Sequence, residues 1–273
     1  MVCSEFSVLL SVYGKEHAEW LRLALRSIWE DQIRKPKEIV LVKDGPLNNE
    51  LEAVISDFAK VAPLKVVALD QNQGLGRALQ AGLQQCSCEL VARMDSDDLA
   101  KPERFERQIR FMEEHPDAAV AGSWIEEFIG SPENIVSERR LPTSPEELFQ
   151  FGKKRNPMNH PTVMFRKTAV ETAGGYEHFP LFEDYWLWCR MLQKGDHLYN
   201  IPEALLWFRT SPDVYKRRGG WRYAVTEIRF LYRVWHLGYI SLPTFCINGA
   251  TRFCIRIIPN GLRRKLYCKF ARK

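Results

Sequence analysis

The sequence contains no run of 18 consecutive apolar residues, the length a helix needs to cross a bilayer, so no transmembrane segment is expected. Its seven cysteines are scattered, and the nearest pair, Cys86 and Cys88, stands one residue apart, too close for the paired spacing of a zinc site. Glu5 and Lys15-Glu16 interrupt any apolar stretch near the start. No secretory leader is therefore expected, and the thiols are expected to stay reduced in a cytoplasmic setting. Gly74-Leu75-Gly76 lacks the third glycine of a dinucleotide fingerprint and comes too late in the chain, which argues against an oxidoreductase. Acidic residues are absent from Ile228 to Lys273, where ten Lys or Arg remain. Removing those ten from the overall charge of +5 leaves −5 on the first 227 residues.

What is present is ordinary globular material. With 45% hydrophobic and 27% charged residues over 273 positions, the chain can bury a full core as one large domain or two closely joined lobes. The stretch around which the rest is organised is Arg93-Met94-Asp95-Ser96-Asp97-Asp98. Glu89 to Ala92, just before it, reads as a buried strand, and Pro102-Glu103-Arg104, just after it, as a helix start with Pro in the first turn. The carboxylates then lie at the C-terminal end of a strand, where open α/β sheets place their ligands. Asp95 and Asp97 alternate in extended chain and point the same way, so they can converge on one hard cation, Mg²⁺ or Mn²⁺. The competing reading is a solvated acidic turn that caps the next helix.

Four short apolar strands precede or include this point: Phe6–Tyr13, Glu38–Val42, Leu64–Leu69 and the strand leading to Asp95. Helical stripes separate them at Glu19–Trp29, Asn48–Ala59 and Leu75–Gln85, the last with Asn72 as its expected cap. The alternation implies a doubly wound, mostly parallel α/β sheet. Asp44, Asp70-Gln71-Asn72 and Asp95 would then share one edge, a crevice of nucleotide size lined by carboxylates and a helix N-terminus.

The ordered set Ser11-Val12-Tyr13, Val42-Lys43-Asp44-Gly45, Asn72-Gln73-Gly74-Leu75-Gly76-Arg77, Asp95-Ser96-Asp97-Asp98 and Glu183-Asp184-Tyr185-Trp186-Leu187-Trp188 resembles the inverting glycosyltransferases of family 2, over about the first 210 residues. The resemblance implies a GT-A fold and a UDP-sugar donor. It implies that Asp44 bonds the uracil, that Tyr13 lies beside the base and that Asn72 and Arg77 face the nucleotide. Asp95 would hold the ribose or a metal-bound water, and Asp97 would ligate Mn²⁺ or Mg²⁺ on the diphosphate. Asp184 would be the general base, with Glu183 orienting the acceptor, although the two roles could be exchanged. The group it most resembles builds bacterial O-antigen and exopolysaccharide. From that follow the expectations of a glucose or galactose transferred in β-1,3 linkage to an N-acetylhexosamine on a polyprenyl diphosphate.

Past Asp98 the chain reads as a helix at Glu103–Glu114, a strand at Ala118–Ile129, a hairpin partner at Glu133–Arg140 and a short helix at Pro145–Phe149. Asn156 to Thr162 is a proline-bounded polar segment of the kind that lies near the acceptor in related enzymes. There His160 either touches phosphate or sugar or simply orders the loop. Trp186 and Trp188 read as core, with one ring available for sugar stacking, and His197–Asn200 and Leu205–Phe208 as two closing strands. These divide the chain into a glycosyltransferase domain over 1–215, with a nucleotide-sugar half (1–110) and an acceptor half (111–215), and a tail over 216–273. In the tail, aromatics such as Trp221, Tyr232 and Trp235 interleave with Arg222, Arg229 and Arg233. Such basic amphipathic helices lie on anionic membrane surfaces, so a protein peripheral on the inner face of the bacterial inner membrane is expected. No nucleic-acid motif occurs. A metal-dependent nucleotidyltransferase would need a basic glycine-rich loop, and Val8–Lys15 offers one glycine and one lysine. A non-catalytic adaptor would have no use for both acidic clusters.

Overall fold

The computed structural model describes residues 4–211 and 220–257. The first strand shows why the sheet is covered on both sides. Strand β1 (Phe6–Val12) is apolar at nearly every position, and alternate side chains point to opposite faces. Leu9 enters a core with Val40 and Val42 of β2 (Glu38–Lys43) and with Ala78, Leu79 and Leu83 of helix α3 (Leu75–Gln85). Phe6, Val8, Leu10 and Val12 enter the opposite core, under Leu21 and Leu25 of α1 (Ala18–Ile28) and Leu51 and Val54 of α2 (Asn49–Phe58). Helix α2 begins where Asn48 accepts a bond from the Leu51 amide.

Strands β3 (Leu64–Ala68), β2, β1 and β4 (Leu90–Met94) run parallel in that order. Beyond β4 the direction reverses. Strand β8 (Met164–Arg166) is antiparallel to β4 and to β6 (Ala118–Phe128), and β9 (His197–Arg209) is parallel to β6. The two-residue β5 (Leu99–Ala100) closes the edge against β9, and β7 (Ile135–Arg139) forms the expected hairpin on β6. Among the described residues the sheet has nine strands, parallel from β3 to β4 and mixed thereafter.

Several local expectations are corrected. The two closing strands are one strand, because a register shift on β6 between Ser123 and Trp124 absorbs Pro202-Glu203. Pro102 stands two residues before helix α4 (Arg104–Glu114) and not in its first turn. Asn72 does not cap α3: its amide nitrogen donates to the backbone oxygen of Asp44, and the Asp44 carboxylate holds the Gln73 and Gly74 amides just before the helix.

The later helices are α5 (Pro145–Gly152), α6 (Lys167–Thr172), α7 (Glu183–Lys194), α8 (Trp221–His236) and α9 (Leu242–Ile257). Helix α5 starts with a full capping box between Ser144 and Glu147. Helix α7 is apolar nearly all round and is buried nearly all round, with Trp188 fully enclosed and so unable to stack on a sugar. Phe230, Leu231 and Val234 of α8 join the core that holds α3 and α7. Helices α8 and α9 pair through Glu227, which is 1% exposed and accepts from Arg252 at 2.6 Å and Arg256 at 2.8 Å. No helix among the described residues is long and apolar enough to cross a membrane.

Candidate active site

Asp44, Asp70 and Asp95 follow the C-terminal ends of the parallel strands β2, β3 and β4, so one edge of the sheet carries them all. Asp44 is buried, and its two carboxylate oxygens accept the amides of Gln73 (2.7 Å) and Gly74 (3.1 Å). A carboxylate from one strand thereby fixes the loop that opens α3. Gly45 makes this possible: its φ is +86°, and a Cβ there would stand 2.6 Å from the Asn72 nitrogen. Tyr13, 39% exposed, follows β1, while Asn72 and Arg77 are exposed at the loop and first turn of α3. These residues follow strands β1 and β2 or open α3, and so lie along the same edge of the sheet.

The acidic motif after β4 draws Asp95, Asp97 and Asp98 together, one carboxylate oxygen from each lying within 4.8 Å of the others. Asp98 is fully buried. One of its oxygens accepts the Arg209 amide at 2.8 Å, and the other has no partner among the described residues. Burial and the charge of Asp95 push Asp97 up to about 6, and burial with the charges of Asp97 and Asp95 pushes Asp98 well above the usual carboxylate range. Three oxygen donors that repel one another and one orphaned buried oxygen fit a hard divalent cation such as Mn²⁺ or Mg²⁺.

Two residues that sequence reasoning passed over hold the cluster. Arg209, at the end of β9, also donates through Nε to the Asp97 carbonyl at 2.8 Å. Its position far along the chain gave no signal. Arg93 is 1% exposed and bonds Asp95, while its Nε and Nη1 have no partner among the described residues. Here a signal existed, an arginine inside the apolar strand Leu90-Val91-Ala92-Arg93-Met94. Burial opposes the Arg93 charge, but Asp95 more than restores it.

The second acidic pair arrives from the other half. Glu183 and Asp184 occupy the first turn of α7, and Glu183 packs against the first turn of α3: a Cβ on Gly76 would meet the Glu183 Cβ at 3.2 Å and the Glu177 carbonyl at 2.5 Å. Asp184 is half-buried and accepts from the Asn156 side chain at 2.6 Å. Burial, then the Asp184 charge, raises Glu183 to about 7. Burial raises Asp184 too, against the Asn156 hydrogen bond, which lowers it. The Arg93 guanidinium acts on Asp97, Asp98, Glu183 and Asp184 alike. The two acidic groups thus share the influence of one buried cation, whose direct partner is Asp95. His160 is buried with Nε2 3.0 Å from the Tyr176 hydroxyl, and burial with Arg93 holds it well below the usual imidazole range, a neutral ring that orders its loop.

The family described as Glycosyl transferase family 2 matches residues 7–173, more than half of the chain. The chain is a family 2 glycosyltransferase. This glycosyltransferase is 42% identical over 268 residues to the amylovoran biosynthesis glycosyltransferase AmsE of Erwinia amylovora, covering 97% of this chain and 98% of that one. It is 38% identical over 269 residues to the UDP-Gal:alpha-D-GlcNAc-diphosphoundecaprenol beta-1,3-galactosyltransferase of Escherichia coli, covering 98% and 97%. Among solved structures it superposes on S. aureus TarS residues 1–349 with a TM-score of 0.65 at 18% identity, over 98% of this chain and 73% of that one. It also superposes on a Pyrobaculum calidifontis mannosyltransferase in complex with GDP-Man and Mn²⁺, with a TM-score of 0.64 at 14% identity, over 98% and 80%. These likenesses give the glycosyltransferase its GT-A fold and place it among enzymes of surface polysaccharide synthesis.

Proposed function

We propose that the protein transfers a hexose, glucose or galactose, from a UDP-sugar to an N-acetylhexosamine carried on a polyprenyl diphosphate, forming a β-1,3 linkage with inversion. The observation that carries this reading is a pair of acidic groups: Asp95, Asp97 and Asp98 bring carboxylate oxygens within 4.8 Å of one another after β4, and Glu183 and Asp184 open α7, Glu183 against Gly76 of α3 and Asp184 held by Asn156. One group suits the leaving diphosphate and the other the attacking hydroxyl. The 38% identity to the Escherichia coli galactosyltransferase, whose name states a UDP-Gal donor and a diphosphoundecaprenol-linked GlcNAc acceptor, supports the substrate classes.

In this reading Tyr13, Asp44, Asn72 and Arg77 border the nucleotide, and Asp95 and Asp97 hold Mn²⁺ or Mg²⁺. When bound, that ion neutralises charge on the departing UDP. Asp184 takes the proton from the acceptor hydroxyl as the new C–O bond forms, with its carboxylate aimed by Asn156. Glu183, packed against the first turn of α3, orients the acceptor. The lipid-linked acceptor and the acid-free basic stretch from Ile228 onward are consistent with an enzyme that works peripherally at an anionic, cytoplasm-facing membrane surface.

Incubating the pure protein with Mn²⁺, a panel of UDP-sugars and a GlcNAc-diphosphate lipid tests the reading. One UDP-hexose should give a β-linked disaccharide lipid and stoichiometric UDP. Transfer only from a non-uridine sugar nucleotide, or an α-linked product from an α-linked donor, would overturn it.

A further inference from the structure

Helices α8 and α9 and the segment before α7 enclose an open groove of about 470 Å³, lined by Phe179, Ile228, Arg229, Tyr232, Arg233 and Phe245. Its floor is apolar and its cations stand along one side. Trp221, seven residues before Ile228, and Leu242, three before Phe245, prolong the apolar stripe at helical spacing and are 66% and 50% exposed. Exposed aromatics and aliphatics of this extent, next to charge of one sign, mark a binding surface.

The groove is joined to the candidate site by direct contacts. Arg233 lies over the rings of Phe179 and Trp186 and pairs with Glu177 at 3.5 Å. The Glu177 backbone abuts Gly76, and Gly76 abuts Glu183. Glu177 is shared with Arg190 at 3.1 Å. Two guanidiniums, Arg190 and Arg233, therefore share one carboxylate, Arg229 lines the same groove, and the nearby Glu227 is taken up by Arg252 and Arg256.

We propose that this groove takes the first isoprenoid units of a polyprenyl diphosphate acceptor, with Arg229 and Arg233 turned toward its diphosphate and the sugar reaching Glu183 and Asp184. The proposal rests on the lipid-linked acceptor of the proposed function. Charge selects this occupant over two others. The segment 258–273 is basic and has no acidic residue, so it would add cations to cations, and a second copy of the chain would present the same guanidiniums. An anionic headgroup on an apolar chain matches both the floor and the side.

The test uses the full-length enzyme in detergent micelles, with no bilayer, and two GlcNAc-diphosphate acceptors, one on a long polyprenyl chain and one on a short alkyl chain. Burying two further methylenes already favours the longer ligand by about tenfold, so the wild type should prefer it by at least that factor in kcat/KM. Tyr232→Glu, at a half-exposed position, and Arg229→Glu, at an exposed one, should each bring that preference toward unity through KM, while melting temperature confirms the fold. A wild type that uses both acceptors equally overturns the groove while leaving the acceptor class intact. So does a preference unchanged in both variants, including the case where Tyr232→Glu loses only its binding to anionic vesicles, which would make this face a membrane contact. Use of neither acceptor overturns the acceptor class and the groove with it.

Discussion

Removing the Asn156 side chain should leave less of the proposed base ionised at neutral pH while sparing donor binding. The amide nitrogen of Asn156 donates to Asp184 at 2.6 Å, a short bond to a carboxylate that burial otherwise holds toward its protonated form. Hydrogen bonds to charged groups are worth about 1.5–3 kcal/mol, and each 1.4 kcal/mol or so is a factor of ten in an equilibrium. In Asn156→Ala the balance between ionised and protonated Asp184 should therefore tilt about ten- to a hundredfold toward the protonated form. The sign follows from the bond: it favours the charged state, so its loss raises the Asp184 pKa further. Turnover should fall at neutral pH by up to the same factor and recover as the pH is raised, while UDP-sugar affinity stays put. Asn156 also accepts the Met158 amide through Oδ1, at 3.2 Å, and Asn156→Asp keeps that bond while placing a like charge beside Asp184. It should move the pH profile the same way and further. Steady-state UDP release measured from pH 6 to 9 decides the matter. A loss of equal size at every pH would show that Asn156 only shapes its loop, and an unmoved profile would remove Asp184 from the role of base.

Four further outcomes are expected. Asp184→Asn keeps shape and loses basicity, so turnover should fall at least about a hundredfold with donor binding retained by calorimetry; normal turnover there with a dead Glu183→Gln would exchange the two roles. Asp97→Ala, or excess EDTA on the wild type, should nearly abolish transfer, with Mn²⁺ or Mg²⁺ restoring only the latter; full activity in EDTA would end the cation assignment. Glu227→Gln leaves Arg252 and Arg256 without their carboxylate and should destabilise the protein by about 3–5 kcal/mol in urea melts. Truncation after Ile257 removes six of the ten basic residues that follow Ile228, each worth about 1 kcal/mol near an anionic surface. Sedimentation with anionic vesicles should drop accordingly, more so in low salt, and unchanged sedimentation would count against membrane recruitment by this segment.

The parts legible in the sequence were those set by local pattern. Alternating apolar strands and helical stripes located β1 to β4 and α1 to α3 almost to the residue, and the spacing in Asp95-Ser96-Asp97-Asp98 pointed to a cluster that the structure does assemble. What stayed hidden depended on pairing across distance. Nothing near Arg209 says that it will brace Asp97 and Asp98, more than a hundred residues earlier. Nothing near Asp44 says that its carboxylate will hold the Gln73 and Gly74 amides of the loop before α3. The break expected at Pro202 failed for the same reason, because β6 accommodates it with a shift of register. The arginine in β4 was visible but was read only as part of a motif. Its burial shows that it belongs to the centre of the site.

The reversal of strand direction at β4 also bears on how such enzymes can change specificity. The residues proposed to border the nucleotide come from one uninterrupted length of chain, 6–98, whereas Asn156, Glu183 and Asp184 come from beyond the β4–β8 pairing of Leu90–Ala92 with Met164–Arg166. Recombination could then exchange the later segments, and with them the acceptor, under a constant donor module. The seam is not neutral, however, because Arg93 lies on the donor side and acts electrostatically on Glu183 and Asp184 on the other. A graft that brings in new acceptor segments inherits that charge. It must supply its own carboxylates within reach of Arg93, or leave that guanidinium to Asp95 and its neighbours on the near side of the seam.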